Sequence, residues 1–446
     1  MPVNFNEKFD FVAYFEQCTK FLTEYKWIFE SSNTKFVQAG ILEEFPKPWI
    51  GDLDSTANEQ FNRIPLGYVN QDWSSSFQTF LNRLKGLIIN YDRLEACSVK
   101  GPNLKGVSPK KMYEIENLTS VIGGICNNGE VLLDFGSGLG YLSQNLHSKH
   151  GFTVLGIDGD AYRVTESQNR QARLFPQSAS HVKFLNHIIE ASSFQHLKYL
   201  AAAMFNRVTE PNLAIVGLHA CADLSIDAIK MFLDNDAVNK LVIMPCCYHK
   251  LKPTDEACTT FEQFPVSSQL REILNNSSNS FLGRPFLRLG CQQTSARWET
   301  MNEEEHELHG KSMFERSLVE AVLTTDEFVK IKKSSGRDES NLLEKYLLFH
   351  KSDPQTNMAW TSEHIERYEK LFVKYPTGGR LAEYLTCLQT CLQSVCENLI
   401  LLDRICYIQT EANQRDINLN VKLVKFANES LSPRCSVILA HKNACR

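Results

Sequence analysis

Residues 130–158 read EVLLDFGSGLGYLSQNLHSKHGFTVLGID. An apolar run, Val131–Leu133, ends in Asp134, and glycines follow at 136, 138 and 140. A helical stretch comes next. A second apolar run, Val154–Ile157, then ends in Asp158. Strand, glycine turn, helix, strand and acid make half of a nucleotide-binding βαβ unit. Each part has a physical task. Glycines let the backbone turn tightly and approach a ligand that a Cβ would exclude. The helix start offers free N–H groups and the positive end of its dipole to an anionic group. Asp158 stands where a carboxylate can accept both hydroxyl protons of a ribose. A dinucleotide turn is G-x-G-x-x-G. Here the spacing is G-x-G-x-G, and Tyr141 occupies the place of that third glycine.

The G-x-G-x-G turn, preceded by Asp134 and followed by Asp158, resembles motif I of the S-adenosylmethionine-dependent methyltransferases. The resemblance implies that Asp134 lies near the amino-acid portion of the cofactor. It implies that Gly136, Gly138 and Gly140 approach the cofactor and that Asp158 holds its ribose.

Apolar runs recur outward from this stretch at 182–185, 213–217 and 241–244, alternating with helical patterns. Short apolar strands of this kind suit a parallel sheet buried on both faces, doubly wound by helices. Residues 378–405 read as a long helix, and 421–426 and 435–440 as a closing hairpin. Ser108-Pro109 marks a helix start, a capping hydroxyl followed by a residue with no N–H to satisfy. Residues 1–105 form the expected helical N-terminal region. Its aromatic stripes, such as Phe77 and Phe80 in line with Leu84, are read as core packing. Residues 106–446 form the expected catalytic domain, with a charged, helical insertion at 250–375 between the fifth and sixth strands.

The composition is ordinary for a globular chain of 446 residues, with 47 basic against 52 acidic side chains. Binding nucleic acid mainly through phosphates favours a basic surplus, so any such binding here rests on a local patch. The 14 cysteines are scattered and form no disulfide framework. The start of the chain lacks a secretion or transit pattern. Together these indicate a reducing compartment, cytoplasmic or nuclear. No run approaches the ~18 apolar residues of a membrane span, so no membrane partner is expected.

Two segments follow the ends of the fourth and fifth strands: GLHACADL at 217–224 and MPCCYHKL at 244–251. Both fall on the ligand-binding edge of such a sheet. His219, Cys221, Cys246, Cys247 and His249 are therefore able to converge. Three chemistries compete. His219 or His249 takes a proton from an attacking hydroxyl or nitrogen. Cys246 or Cys247 adds covalently to a pyrimidine ring. Mixed Cys and His ligands bind a metal, a weak fit because zinc sites favour C-x2-C spacing over adjacent cysteines. No structural metal is expected. The bland alternative makes the cysteines small buried hydrophobes. Lys110, Lys111 and Tyr248 are the candidate substrate contacts. Two cations in a first helical turn oppose the dipole, which favours a functional reason for the lysines.

Taken together, SPKKMYEI, VLLDFGSGLGYLS, GLHACADLS and MPCCYHKL resemble the methyltransferase-like protein 25 family, some members of which are labelled ribosomal RNA adenine dimethylase domain-containing. The CCYH segment is also similar to a stretch of eukaryotic tRNA 2′-O-methyltransferases. The resemblance implies a seven-stranded Rossmann-like methyltransferase sheet, S-adenosylmethionine as cofactor, and RNA (tRNA or rRNA) or a protein as acceptor. Other readings are an inactive scaffold that keeps the fold and a small-molecule methyltransferase. Adenine N6 chemistry calls for a proline pair and an aromatic after the fourth strand, and GLHACADL has neither. Ala222 stands where family members commonly have glycine.

Overall fold

A computed structural model describes residues 3–4, 9–94, 106–206, 212–277, 280–292, 295–323, 329–333, 343–428, 431–432 and 435–443. Seven strands form the central sheet: β1 Val131–Phe135, β2 Thr153–Asp158, β3 Val182–Asn186, β4 Leu213–Cys221, β5 Val238–Cys246, β6 Leu419–Lys425 and β7 Ser436–Lys442. Their order across the sheet is β6-β7-β5-β4-β1-β2-β3. β1 to β5 are parallel to one another. β7 runs antiparallel to both β5 and β6. This is the expected doubly wound Rossmann-like methyltransferase sheet with its closing hairpin.

The strands form where the apolar runs predict them. β1 and β2 are buried along their whole length, as strands covered on both faces must be. The helix Pro109–Ile125 starts at Ser108, whose hydroxyl accepts the Lys111 N–H. Its Ile115, Leu118 and Ile122 pack with Leu132, Val154, Val216 and Val242 of the sheet. The order places β1 beside β4, the point where the chain reverses direction across the sheet and where such folds bind ligands.

The chain divides into two compact units, residues 1–20, 87–294 and 393–446, and residues 21–86 and 295–392. The boundary expected near residue 105 therefore falls elsewhere. Residues 21–86 join the distal part of the insertion because their aromatic face and polar anchors are satisfied there. The Phe61 ring meets the Trp298 ring at 5.4 Å and the Tyr384 ring at 5.8 Å. The Val37 N–H donates to Ser317 Oγ, and the Gln389 amide donates to the Ile28 carbonyl. The insertion between β5 and β6 is also not wholly helical. It carries a three-stranded antiparallel sheet of Val329–Lys333, Tyr346–His350 and Asp353–Met358. In VKIKK the period is two: Ile331 is buried between exposed lysines, so the charge run is a strand edge. The helix Gly378–Gln414 is long and apolar enough to cross a membrane, but 78% of its most apolar window is buried inside the protein. It is a core helix by its packing.

Candidate active site

The loop after β1 has the shape that the glycines predict. Gly136, Gly138 and Gly140 lie at φ of 72°, 56° and 72°, left-handed values that L side chains adopt only at a cost. The N–H groups of Gly136 and Ser137 donate to the Ile157 carbonyl, closing the turn onto β2. A Cβ on Gly138 would have only the Gly136 carbonyl within 4.0 Å. The space in front of that residue is therefore open. A Cβ on Gly140 would strike the Phe184 ring at 2.4 Å, so that glycine serves close packing. The helix Tyr141–His150 follows with no cap from Gly140; the Ser143 N–H goes to Asp134, and the Tyr141 and Leu142 N–H groups face the turn for a ligand carboxylate.

Asp158 points at this turn. One carboxylate oxygen accepts the Gly138 N–H at 2.9 Å, the other the Asp160 N–H at 2.9 Å. Each oxygen keeps a second lone pair, so both can still accept a ribose hydroxyl. Ser137 Oγ, in the turn, is buried without a hydrogen-bond partner. An open cradle at a glycine, an acid at its edge and an orphaned hydroxyl fit an adenosyl cofactor. Ile188, just past β3, is 70% exposed and lies 3.3 Å from where a Cβ on Gly159 would stand. It offers an apolar edge for a flat ring. The sequence reading missed it, and an isoleucine outside any apolar run was the only signal.

Asp134 is 1% exposed, with Ser143 Oγ donating to it at 2.5 Å. This corrects the expectation of a cofactor contact: the carboxyl braces the helix start from behind the turn. Burial pushes its pKa up to about 7; the Ser143 hydrogen bond opposes that and the Asp158 charge adds to it. A carboxyl raised in the folded state binds its proton more tightly there than in the unfolded chain. Its contribution to stability is full below pH ~4 and is lost as pH rises to about 7. Asp134→Asn should therefore flatten this part of the pH dependence and raise the melting temperature more at pH 8 than at pH 5, as differential scanning fluorimetry reads directly.

At the end of β4 the register with β5 shifts between Gly217 and Ala220. His219, in that bulge, has φ 63°. A bulge re-aims a side chain, and here it sends the imidazole to Glu114. His219 Nε2 lies 3.1 Å from Glu114 Oε2, and the Ser432 hydroxyl donates to Glu114 Oε1. Burial pushes the Glu114 carboxyl up, but the hydrogen bonds from His219 and Ser432 outweigh it, and it titrates below its ordinary range. An ionised Glu114 only accepts, so Nε2 carries the proton and Nδ1 keeps a lone pair. The His219 side chain is 30% exposed. It is thus an oriented, reachable base. Glu114, within SPKKMYEI, is a functional residue that the sequence does not single out, because its partners His219 and Ser432 lie far along the chain.

The other candidates separate. Cys221, Cys246 and Cys247 come together, with all three sulfurs within 4.8 Å of one another. His249 instead meets Cys291 Sγ through Nδ1 at 3.1 Å. Burial lowers its pKa, with the Arg288 charge acting the same way. Cys246 is 2% exposed, and its hydrogen bonds with Cys221 and Cys247, together with burial, push its thiol far up. A buried neutral thiol is a poor nucleophile, which removes support from covalent addition by Cys246. Tyr248 is 1% exposed, with its hydroxyl on Glu397 Oε1 and the Pro245 carbonyl. It is core and not a substrate contact, as an amphipathic tyrosine permits.

Lys110 is exposed. Lys111 Nζ lies 4.8 Å above the Tyr141 ring, and the Arg170 guanidinium lies 4.3 Å from the same ring. Burial lowers the Lys111 pKa; Glu114 raises it, and Arg163 and Arg170 lower it further. Three cations, Lys111, Arg163 and Arg170, thus lie within electrostatic reach of one another in a chain of net charge −5. Ala222, at φ 50°, is one of three non-glycine left-handed residues here, with His219 and Cys247. That is the physical reason a glycine suits its position.

Residues 110–254 match the family model of a methyltransferase domain. The human protein called probable methyltransferase-like protein 25 is 26% identical over 245 residues, 51% of this chain and 36% of the relative. Its mouse counterpart is 24% identical over 249 residues, 52% of this chain and 38% of the relative. The matched stretch thus spans little more than a third of these curated relatives. Among solved structures, coclaurine N-methyltransferase bound to N-methylheliamine and S-adenosylhomocysteine aligns over 94% of this chain and 97% of its own, at 12% identity and a TM-score of 0.24. At that score the strand order, not the likeness, identifies the fold. The chain carries a methyltransferase domain and is related to methyltransferase-like protein 25.

Proposed function

We propose that this chain transfers a methyl group from S-adenosylmethionine to an acceptor atom that carries a removable proton, in an RNA (tRNA or rRNA) or a protein. The observation that carries this reading is the open cradle at Gly138 with the Asp158 carboxylate at its edge. When bound, the cofactor supplies an electrophilic methyl on a sulfonium. The protein's own work is then positioning and proton removal. Asp158 and the turn hold the nucleoside end. The free N–H groups after Gly140 receive a carboxylate. His219 Nδ1 takes the acceptor's proton while Glu114 holds the ring and stabilises the imidazolium that forms. Lys110, Lys111, Arg163 and Arg170 favour an anionic acceptor, which supports RNA over a protein. No disulfide joins the cysteines of the described residues, which suits the cytoplasm or nucleus.

The test is tritiated methyl labelling of a cell lysate by the purified chain, followed by nuclease or protease. Removal of the label by nuclease supports RNA, and removal by protease supports a protein. Label that stays in a fraction below polymer size supports a small-molecule acceptor, and no label supports a scaffold. For an RNA acceptor, Lys110→Glu combined with Lys111→Glu should lower affinity at least tenfold and reduce the salt dependence of binding by about two counterions, read by filter binding across a salt series.

A further inference from the structure

The edge of the sheet next to His219 holds a second group of reactive side chains that methyl transfer does not use. Cys221 and Cys246 are register partners on β4 and β5, and their sulfurs lie 3.2 Å apart. Cys247 follows directly. Adjacent residues of a strand normally point to opposite faces, but Cys247 leaves β5 at φ 52°. That turn brings its sulfur to 3.7 Å from that of Cys246. The left-handed backbone thereby defeats the objection that neighbouring cysteines cannot share an ion. In a tetrahedral site with Zn–S bonds of about 2.3 Å, sulfurs stand roughly 3.8 Å apart. The three here lie within 4.8 Å of one another, their two closest pairs at 3.2 and 3.7 Å.

A separate observation concerns charge. Arg404, on the helix Gly378–Gln414, is fully buried, and none of its three guanidinium nitrogens has a hydrogen-bond partner. Its guanidinium carbon lies 5.2 Å from the Tyr248 ring centre. Burial disfavours its charge, while Tyr248, Asp403, Cys246 and Asp223 favour it in that order. The Asp403 carboxylate is committed elsewhere, to the backbone of Val266 and Ser267 and the Ser267 hydroxyl. A buried unpaired cation is expensive. Three neutral thiols offer it little. Three thiolates on a divalent ion carry one excess negative charge, and their sulfurs accept N–H bonds.

We propose that Cys221, Cys246 and Cys247 bind a zinc ion as thiolates, with the Arg404 guanidinium as the buried counter-charge. Binding releases the three thiol protons as the three sulfur–zinc bonds form. No electron transfer is involved, and the oxidation state of sulfur is unchanged. Three protein ligands leave the fourth tetrahedral position for an exogenous donor, the arrangement of an open zinc site. The proposal does not depend on methyl transfer, since its readout is metal content.

The test uses the full chain, purified under reducing, oxygen-free conditions, loaded with zinc and dialysed. Elemental analysis should give one zinc per chain. Cobalt(II) in its place should show an intense sulfur-to-cobalt charge-transfer band with the visible bands of a tetrahedral ion. Cys221→Ser and Cys247→Ser should each weaken metal binding by more than tenfold. Arg404→Leu should weaken it by about 10- to 100-fold, as loss of an outer-shell partner does, without lowering the melting temperature of the metal-free chain. Cys391→Ser, on a buried thiol of the other unit, should change nothing. A wild-type chain that holds no zinc, or a cobalt spectrum without the sulfur band, overturns the proposal even if the serine variants fail to fold. So does recovery of Cys221 and Cys246 as a disulfide in the zinc-loaded chain.

Discussion

Replacing Gly138 with arginine is expected to abolish cofactor binding and methyl transfer while the chain stays folded. The fold tolerates the change because nothing but the Gly136 carbonyl, at 4.0 Å, faces the new Cβ. The backbone penalty is that of a non-glycine residue at φ 56°, about 1–2 kcal/mol. That is small beside the ~5–15 kcal/mol that holds a domain together. The side chain, however, projects into the space where the adenosyl group would lie. Gly140→Ala is the contrasting case. Its Cβ meets the Phe184 ring at 2.4 Å, so it should lower the melting temperature by several degrees. The first variant thus separates binding from folding, and the second does not. Calorimetry with S-adenosylhomocysteine and a melting curve on both variants check this. Gly138→Arg binding as tightly as wild type would refute the site assignment.

Removing the base gives the next largest effect. His219→Ala should lower kcat by roughly 10²–10⁴-fold, the usual contribution of a positioned general base. It should leave cofactor affinity nearly unchanged and flatten the acid limb of the pH–rate profile. Glu114→Gln should reproduce part of that loss. A neutral amide cannot stabilise an imidazolium, and it can donate to Nε2 and so favour the opposite tautomer. Glu114→Asp, which keeps the charge but shortens the reach, should recover some activity. A purely structural Glu114 would move stability and not the pH profile. If His219→Ala keeps full kcat on an acceptor whose attacking atom loses a proton, His219 is not the base.

What the sequence discloses here follows the length scale of the physics. Sheet strands write themselves as short apolar runs, most fully where both faces are buried as in β1 and β2, and all seven are legible, as is the Ser108 cap. The glycine turn is legible because three left-handed residues in five admit little but glycine. The His219–Glu114 pair is not. Its members stand 105 residues apart, and the bulge that joins them is a property of β4 against β5, not of GLHACADL. Tyr248 looks exposed by its neighbours Cys247, His249 and Lys250, yet Glu397, which takes its hydroxyl, is 149 residues away. Cys246 and Cys247 look unable to meet because strand geometry opposes it, and only the local φ of Cys247 reverses that. Lys330–Lys333 looks helical by charge, while Val329 and Ile331 alternating with Lys330 and Lys332 already carry the period of a strand.

Cofactor binding depends on the glycine turn and Asp158 forming an adenosyl site, and titration calorimetry of the full chain with S-adenosylhomocysteine tests that most directly. The expected result is saturable one-to-one binding by the wild type, weakened at least tenfold, or by about 1.4 kcal/mol, in Asp158→Ala. No binding by the folded wild-type chain, or equal binding by the two proteins, would contradict it.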